Sequence, residues 1–230
     1  MEKIGVFVMK KIIVLNCSPR KVFNTAKLLQ EAKKGAESVG AEVEYFNLVD
    51  FNFKGCMSCY ACKRKGAKTN GLCAYKDELT PILEKILKAD AVIIGSPVYY
   101  GNQTGMFRNL MERLLFAAGT YLKDETTGFI KRVLEKRIPF GIIHTMSATE
   151  MQYKQSFMPA LFGLNNTMTK LLFGYCETMN VFDTSHVADY SKYDCDMFDV
   201  EHKKMMKNIQ FPKDLDKAFD MGKRFAMYTP

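Results

Sequence analysis

Residues 11–25 read KIIVLNCSPRKVFNT, and their order of residue types decides the fold. The β-branched run Ile12-Ile13-Val14-Leu15 stops at Asn16-Cys17-Ser18-Pro19-Arg20. A helical segment begins at Thr25-Ala26-Lys27-Leu28-Leu29, with Asn24 as its expected cap. Strand, polar loop and helix N-terminus therefore follow in direct succession. Free backbone N–H groups and the positive end of the helix dipole make such a corner an anion site. Ser18, Arg20, Asn24 and Thr25 add side-chain donors to it. The competing reading is an ordinary strand-to-helix connection closed by a capping Asn.

Missing motifs narrow the anion. No G-x-x-x-x-G-K-[ST] and no G-x-G-x-x-G occurs anywhere, and neither Gly35 nor Gly40 is followed by the Lys and hydroxyl that a nucleoside triphosphate needs. A hydroxyl-rich loop without close-packed glycines suits a terminal monophosphate better than a buried pyrophosphate.

Outward from this corner, strands and helices alternate. Strands are expected at 11–16, 42–48, 91–96, 138–145 and 181–187. Helices are expected at 25–39, at 78–88 after an Asp77 cap, at 104–117, within 155–178 and at 213–227. This order specifies an α/β fold, a doubly wound five-stranded parallel sheet covered on both faces. The loops after strands one, three and four then meet at one edge, where such sheets bind ligands. One domain over 1–230 is expected, with a cysteine-rich loop at about 49–76 and a C-terminal extension at about 188–230. Loops of that length are usually functional or disordered.

The chain of 230 residues has 47% hydrophobic and 25% charged residues, which suits a globular protein with a substantial core. No apolar run approaches the ~18 residues that would span a bilayer. Lys10 and Lys11 split the apolar N-terminus and no small-residue cleavage site follows, so MEKIGVFVMKKIIVLN reads as strand, with 1–8 an extension, rather than as a signal peptide. No membrane partner is expected. The net charge of +8 is scattered over Lys63-Arg64-Lys65, Lys131-Arg132, Lys136-Arg137 and Lys203-Lys204 without a nucleic-acid motif, so no nucleic-acid partner is expected either. A basic surface also suits phosphorylated cofactors.

Pro97-Val98-Tyr99-Tyr100-Gly101-Asn102 follows the third strand. Pro97 keeps the backbone extended, Gly101 lets it turn close to a ligand, and the tyrosines offer flat faces with polar tips. Beside a phosphate loop, these residues read as the wall of a planar ring; alone, they would read as core cover.

Together, SPRKVFNT at 18–25 and SPVYYGNQTGMFRNLMERL at 96–114 resemble the NADPH-dependent FMN reductase family, and within it the iron–sulfur flavoprotein branch. The resemblance runs from about Lys11 to about Thr149. It implies a flavodoxin-like fold with strand order 2-1-3-4-5, FMN as cofactor and NADPH or NADH as co-substrate. Ser18, Arg20, Asn24 and Thr25 would hold the FMN phosphate, and Pro97, Val98, Tyr99, Tyr100, Gly101 and Asn102 would border the isoalloxazine ring. Glu112-Arg113 falls where the family often shows Asp-Arg. After strand four, family members frequently carry a glycine-rich stretch; here His144-Thr145-Met146-Ser147-Ala148-Thr149 stands instead, with Thr145, Met146 and Ser147 placed to reach the flavin edge. His144 is either a flavin hydrogen-bonding group or a strand-end histidine satisfied by backbone. A homodimer or homotetramer is also implied.

Cys56-x2-Cys59-x2-Cys62 and Cys73 crowd one loop, in a chain expected to be cytoplasmic with reduced thiols. Four thiolates are the donor set of a [4Fe–4S] cluster, and the iron–sulfur flavoproteins carry a compact motif of this kind with a shorter final spacing. Zinc and structural or redox-active thiols are the alternatives. Cys17, Cys176 and Cys195 read as buried small hydrophobes.

A flavin carries its own chemistry, so no separate catalytic side chain is expected. The leading reading is an FMN-dependent oxidoreductase that takes hydride from NAD(P)H and passes electrons to an unidentified acceptor, with a cluster at Cys56, Cys59, Cys62 and Cys73 as one route. The alternatives are an electron carrier without nicotinamide turnover and a zinc-stabilised interaction module.

Overall fold

The structure is a computed structural model and describes residues 9–229; the N-terminal extension expected at 1–8 lies outside the described residues. In chain order the main elements are β1 (Lys11–Asn16), α1 (Asn24–Glu37), β2 (Glu42–Asn47), α2 (Thr80–Lys88), β3 (Ala91–Tyr99), β4 (Asn102–Gln103) and α3 (Gly105–Ala118). They continue with β5 (Gly119–Lys123), β6 (Ile130–Arg132), β7 (Phe140–Thr145), α4 (Glu150–Gln155), α5 (Met158–Phe173), β8 (Cys176–Val181), α6 (Val200–Met205) and α7 (Phe211–Met227).

Five strands pair in parallel in the order β2-β1-β3-β7-β8, the expected 2-1-3-4-5 arrangement. Successive residues of β1 feed opposite cores, as strand geometry demands. Ile12 and Val14 pack with α1 and α7, while Ile13 and Leu15 pack with α2 and α3. Side chains such as Leu15, Ile93 and Phe140 are fully buried, each contributing about 1.5–3 kcal/mol relative to exposure. On the first face α1 and α7 lie unusually close: a Cβ at Gly222 would sit 1.8 Å from the Ala32 carbonyl oxygen.

Four expectations need correction. The fifth strand is Cys176–Val181 rather than 181–187. The chain leaves the strand at Asp183, whose φ of 57° is left-handed. The stretch between the strand expected at 181–187 and the helix expected at 213–227 is not a plain loop, because it holds α6 and a π-helical turn over Met206–Gln210. Asn24 is the first helical residue and not the cap; Phe23 takes that position and offers no side-chain hydrogen bond. Asp77 precedes α2 without being its cap residue, which is Leu79. The β5–β6 hairpin is an addition to the expected elements.

Candidate functional site

The first loop hangs between β2 and β3. Asn16 is fully buried; its amide donates to Asn47 Oδ1 at 3.0 Å and its Oδ1 accepts the Ser18 N–H at 3.0 Å. Ser18 Oγ then accepts the Arg20 N–H at 3.1 Å. Cys17 is buried as expected, its N–H donating to the Gly95 carbonyl at 2.8 Å and its carbonyl accepting Thr104 Oγ1 at 2.8 Å. Burial pushes its thiol far up, so it is no thiolate. α1 opens with no side-chain cap and no acidic residue in its first turn. Its leading N–H groups thus lack the usual internal anion or oxygen, which fits a bound phosphate. Arg20 and Asn24 donate to the carbonyls of His186 and Ser185, at 2.5 and 2.8 Å. The segment after β8 therefore lies against this loop, a contact no sequence motif announced.

β3 runs on to Tyr99 and turns through Tyr100 (φ 48°) and Gly101 (φ 81°) into β4. Two left-handed central residues make the tight hairpin turn that matches strand twist. Pro97 is buried opposite Thr145 in the β3–β7 register, Val98 is half-buried, and Tyr99, Tyr100 and Asn102 are exposed. The tyrosines do not cover the core. Thr104 ties the corner together: it caps α3 by accepting the Phe107 N–H, and its own N–H donates to Ser96 Oγ at 3.1 Å.

At the end of β7, Thr145 Oγ1 lies 2.8 Å from Thr25 Oγ1, so loops one and four meet directly. Met146 is buried with Met158 and Phe162. Ser147 Oγ is buried without a hydrogen-bond partner among the described residues, sealed from solvent by the packing around it. His144 is satisfied by side chains rather than backbone. Its Nδ1 lies 3.0 Å from Asn180 Oδ1 and its Nε2 3.2 Å from the Gln103 amide nitrogen. With the Asn180 carbonyl as acceptor, His144 carries its proton on Nδ1, and Nε2 accepts from Gln103. Gln103 Oε1 in turn accepts from Asn165 at 3.5 Å, and Asn165 Oδ1 accepts from Arg108 at 2.8 Å. Burial pushes the His144 pKa down to about 4, so the ring is neutral and serves as a structural bridge under the hairpin. Gln103 and Asn165 were missed because isolated amides carry no sequence signal.

Cys56, Cys59, Cys62 and Cys73 line one small pocket with Tyr75, Arg113 and Phe116. The Arg113 side chain has no exposure; it bonds both oxygens of Asp77 at 2.6 Å and the Tyr75 carbonyl at 2.7 Å. Lys63 donates to the carbonyls of Phe116 and Gly119 and lies over the Phe116 ring at 4.5 Å. Four soft thiol donors flanked by two cations suit an anionic thiolate-bound centre in their chemistry. Among the described residues, however, no three His, Cys, Asp or Glu side chains are gathered in a metal-holding arrangement. The loop is thus assembled at one place but not as a coordination shell. Cys195 is half-buried rather than buried; Cys176 is buried.

A doubly wound parallel sheet in the order β2-β1-β3-β7-β8, with the loops after β1, β3 and β7 at one edge, defines the flavodoxin-like fold. The family model for NADPH-dependent FMN reductase matches residues 10–137, and the chain belongs to that family. An iron–sulfur flavoprotein of Archaeoglobus fulgidus is 39% identical over 103 residues, covering 45% of this chain and 48% of that protein. One from Methanocaldococcus jannaschii is 36% identical over 103 residues, covering 45% of this chain and 51% of its own length. The chain spans about half the length of these curated relatives. Among solved structures, an NAD(P)H:quinone oxidoreductase from Methanothermobacter marburgensis superposes with a TM-score of 0.66 at 15% identity, over 97% of this chain and 100% of that one. An azoreductase from Bacillus anthracis gives 0.62 at 13%, over 94% and 100%. These two likenesses concern the fold.

Proposed function

We propose that the chain is an FMN-dependent oxidoreductase that takes reducing equivalents from NADPH or NADH and delivers them to an acceptor. The observation that carries this reading is the uncapped, acid-free N-terminus of α1 beside Ser18 and Arg20, in a chain whose residues 10–137 match the NADPH-dependent FMN reductase family. The chemistry a bound flavin supplies is hydride uptake and onward electron transfer. Arg20, Ser18, Asn24 and Thr25 hold its phosphate with the uncapped α1 N-terminus. The hairpin from Pro97 to Asn102 borders the ring, and Thr145 to Ser147 meet its polar edge. Cys56, Cys59, Cys62 and Cys73 are the proposed ligands of a [4Fe–4S] cluster; the shared pocket and the relatives' iron–sulfur character support them.

Leu161 and Leu164 on α5 and Phe157 at its N-cap are exposed at helical spacing, and Tyr100 is fully exposed. Such a stripe favours self-association, and a homodimer or homotetramer is part of the proposal. No helix among the described residues is long and apolar enough to cross a membrane; the free cysteines suit a reducing, cytoplasmic setting.

The test is anaerobic purification followed by addition of FMN, a visible spectrum, iron, sulfide and zinc analysis, and titration with NADPH and NADH. Flavin bands that bleach on titration are expected. A protein that takes up no FMN contradicts the proposal, and a flavin that neither nucleotide bleaches points to an electron carrier.

A further inference from the structure

Lys203 sits on α6 and is almost wholly buried. An ammonium in that position costs several kcal/mol unless it is paired and hydrogen-bonded. It is both: it pairs with Asp183 and donates to the Ser147 carbonyl at 2.8 Å. Asp183, equally buried, also meets His202 Nε2 at 2.5 Å. The Asp183 N–H donates to the Ala148 carbonyl and the Thr184 N–H to the Met146 carbonyl, each at 2.9 Å. The Ser147 loop is thereby stitched on one side to the chain leaving β8 and pinned on the other by Lys203. Two residues further on, the Ser185 and His186 carbonyls receive Asn24 and Arg20. A single connected segment, 183–203, links the serine loop to the phosphate loop.

We propose that Lys203 is a positioning residue of the flavin site, acting through the Ser147 carbonyl to fix the backbone of the loop at 145–148 that borders the flavin edge. This rests on the flavin reading above. Nothing in the family-model match reaches this residue, since that match ends at residue 137. A lysine on a short helix far along the chain thus completes a site built mainly by the N-terminal half.

The full chain, freed of flavin, is titrated with FMN while flavin fluorescence and the visible band are followed. Lys203→Met, in which Asp183 keeps His202, is expected to bind FMN about tenfold more weakly, the size of one charge-assisted hydrogen bond. The bound flavin band should also lose fine structure, because the loop at 145–148 is no longer fixed. The double variant Asp183→Asn/Lys203→Met removes both charges, and Asn tolerates the left-handed backbone; it should show the same loss with an unchanged urea midpoint. Lys203→Arg should recover most of the affinity.

Wild-type protein that binds no FMN sinks the flavin reading, and this inference with it. Wild-type binding alongside unaltered affinity and band shape in both Met variants overturns the inference alone. Unfolding of both variants would assign Lys203 to stability and overturn it as well.

Discussion

Thr25 and Thr145 are 120 residues apart in sequence, yet their hydroxyls lie 2.8 Å from each other. One lies in the first turn of α1 and the other closes β7, and among the described residues β3 is the strand between β1 and β7 in the sheet. The glycine at position 95 of β3 leaves room for this approach, since a Cβ there would come within 2.7 Å of both Thr25 and Leu29. The pair marks where the phosphate and ring ends of the proposed flavin site adjoin.

Phosphate binding should therefore divide by charge. Arg20→Ala removes a charge-assisted contact of about 1.5–3 kcal/mol, an expected loss of about 10- to 100-fold in FMN affinity, whereas Thr25→Val removes a neutral one and should cost roughly fivefold. Arg20 is exposed, so the urea midpoint of Arg20→Ala should stay near wild type. Fluorescence titration with FMN beside riboflavin checks this: the Arg20 penalty should vanish for riboflavin, which has no phosphate.

His144 should make stability fall with acid. Burial lowers its pKa from 6.5 to about 4, so below pH 6.5 the unfolded chain binds a proton that the folded chain refuses. Stability is then fully present above pH 6.5 and declines as pH falls towards 4, by about 3 kcal/mol in total. His144→Gln should flatten that part of the profile at some cost in packing against Phe162, whose ring centroid is 4.2 Å away. Urea midpoints measured between pH 7 and pH 4.5 decide it.

Much of this architecture is legible in the sequence because the interior strands are buried on both faces. Ile12–Leu15 and Val92–Ile94 are continuous apolar runs, and such runs announce parallel strands. β8 escaped because it is half-exposed: Glu177 pairs with Arg224 on the surface, and CETMNV has no run to read. The strand–loop–helix corner at 11–25 was legible from residue types alone. Its partners were not, since Lys203, Asp183 and Gln103 gain meaning only from contacts 20 to 56 residues away. The sequence also placed the four cysteines together but carried no sign of Arg113 beneath them beyond a Glu-Arg pair.

Two glycines should respond in opposite directions. Gly222→Ala drives a methyl into the Ala32 backbone, and neither helix has a flexible side chain there to yield. A loss at the upper end of the 1–3 kcal/mol usual for overpacking is expected, about 3 kcal/mol. Gly163, on the exposed side of α5, has nothing within 4 Å of the place an added methyl would occupy, so Gly163→Ala should stabilise by roughly 0.5–1 kcal/mol. Thermal unfolding of the two variants side by side tests whether α1 and α7 must touch.

Arg113 and Asp77 form the anchor beneath the cysteine loop. The arginine side chain has no exposure and the aspartate 12%, so Asp77→Asn leaves a buried guanidinium without its counter-charge, at an expected cost of about 3–5 kcal/mol. Burial alone would raise the Asp77 carboxyl, but Arg113 and the Lys54 and Leu79 N–H groups outweigh it and hold the pKa below the usual range. That contribution persists at neutral pH and is lost only as acid protonates the carboxylate. Limited proteolysis should show cleavage within 54–77 appearing in Asp77→Asn well before global unfolding.

The flavin and cysteine sites should separate cleanly. The pocket holding Cys56, Cys59, Cys62 and Cys73 shares no lining residue with the loops at 18–25, 97–102 and 145–147, so damage to one leaves the other assembled. Cys62→Ser should lose bound iron and sulfide while retaining FMN affinity within about twofold, because no hydrogen bond of the flavin loops passes through it. NADPH should still bleach the flavin in that variant, whereas electron delivery to a one-electron acceptor should slow if the cluster is the exit route. Arg20→Ala should give the reverse pattern, with iron retained and flavin held about 10- to 100-fold more weakly. Should Cys62→Ser abolish flavin binding instead, the two sites would be a single cooperative unit and the proposed division of the chain would be wrong.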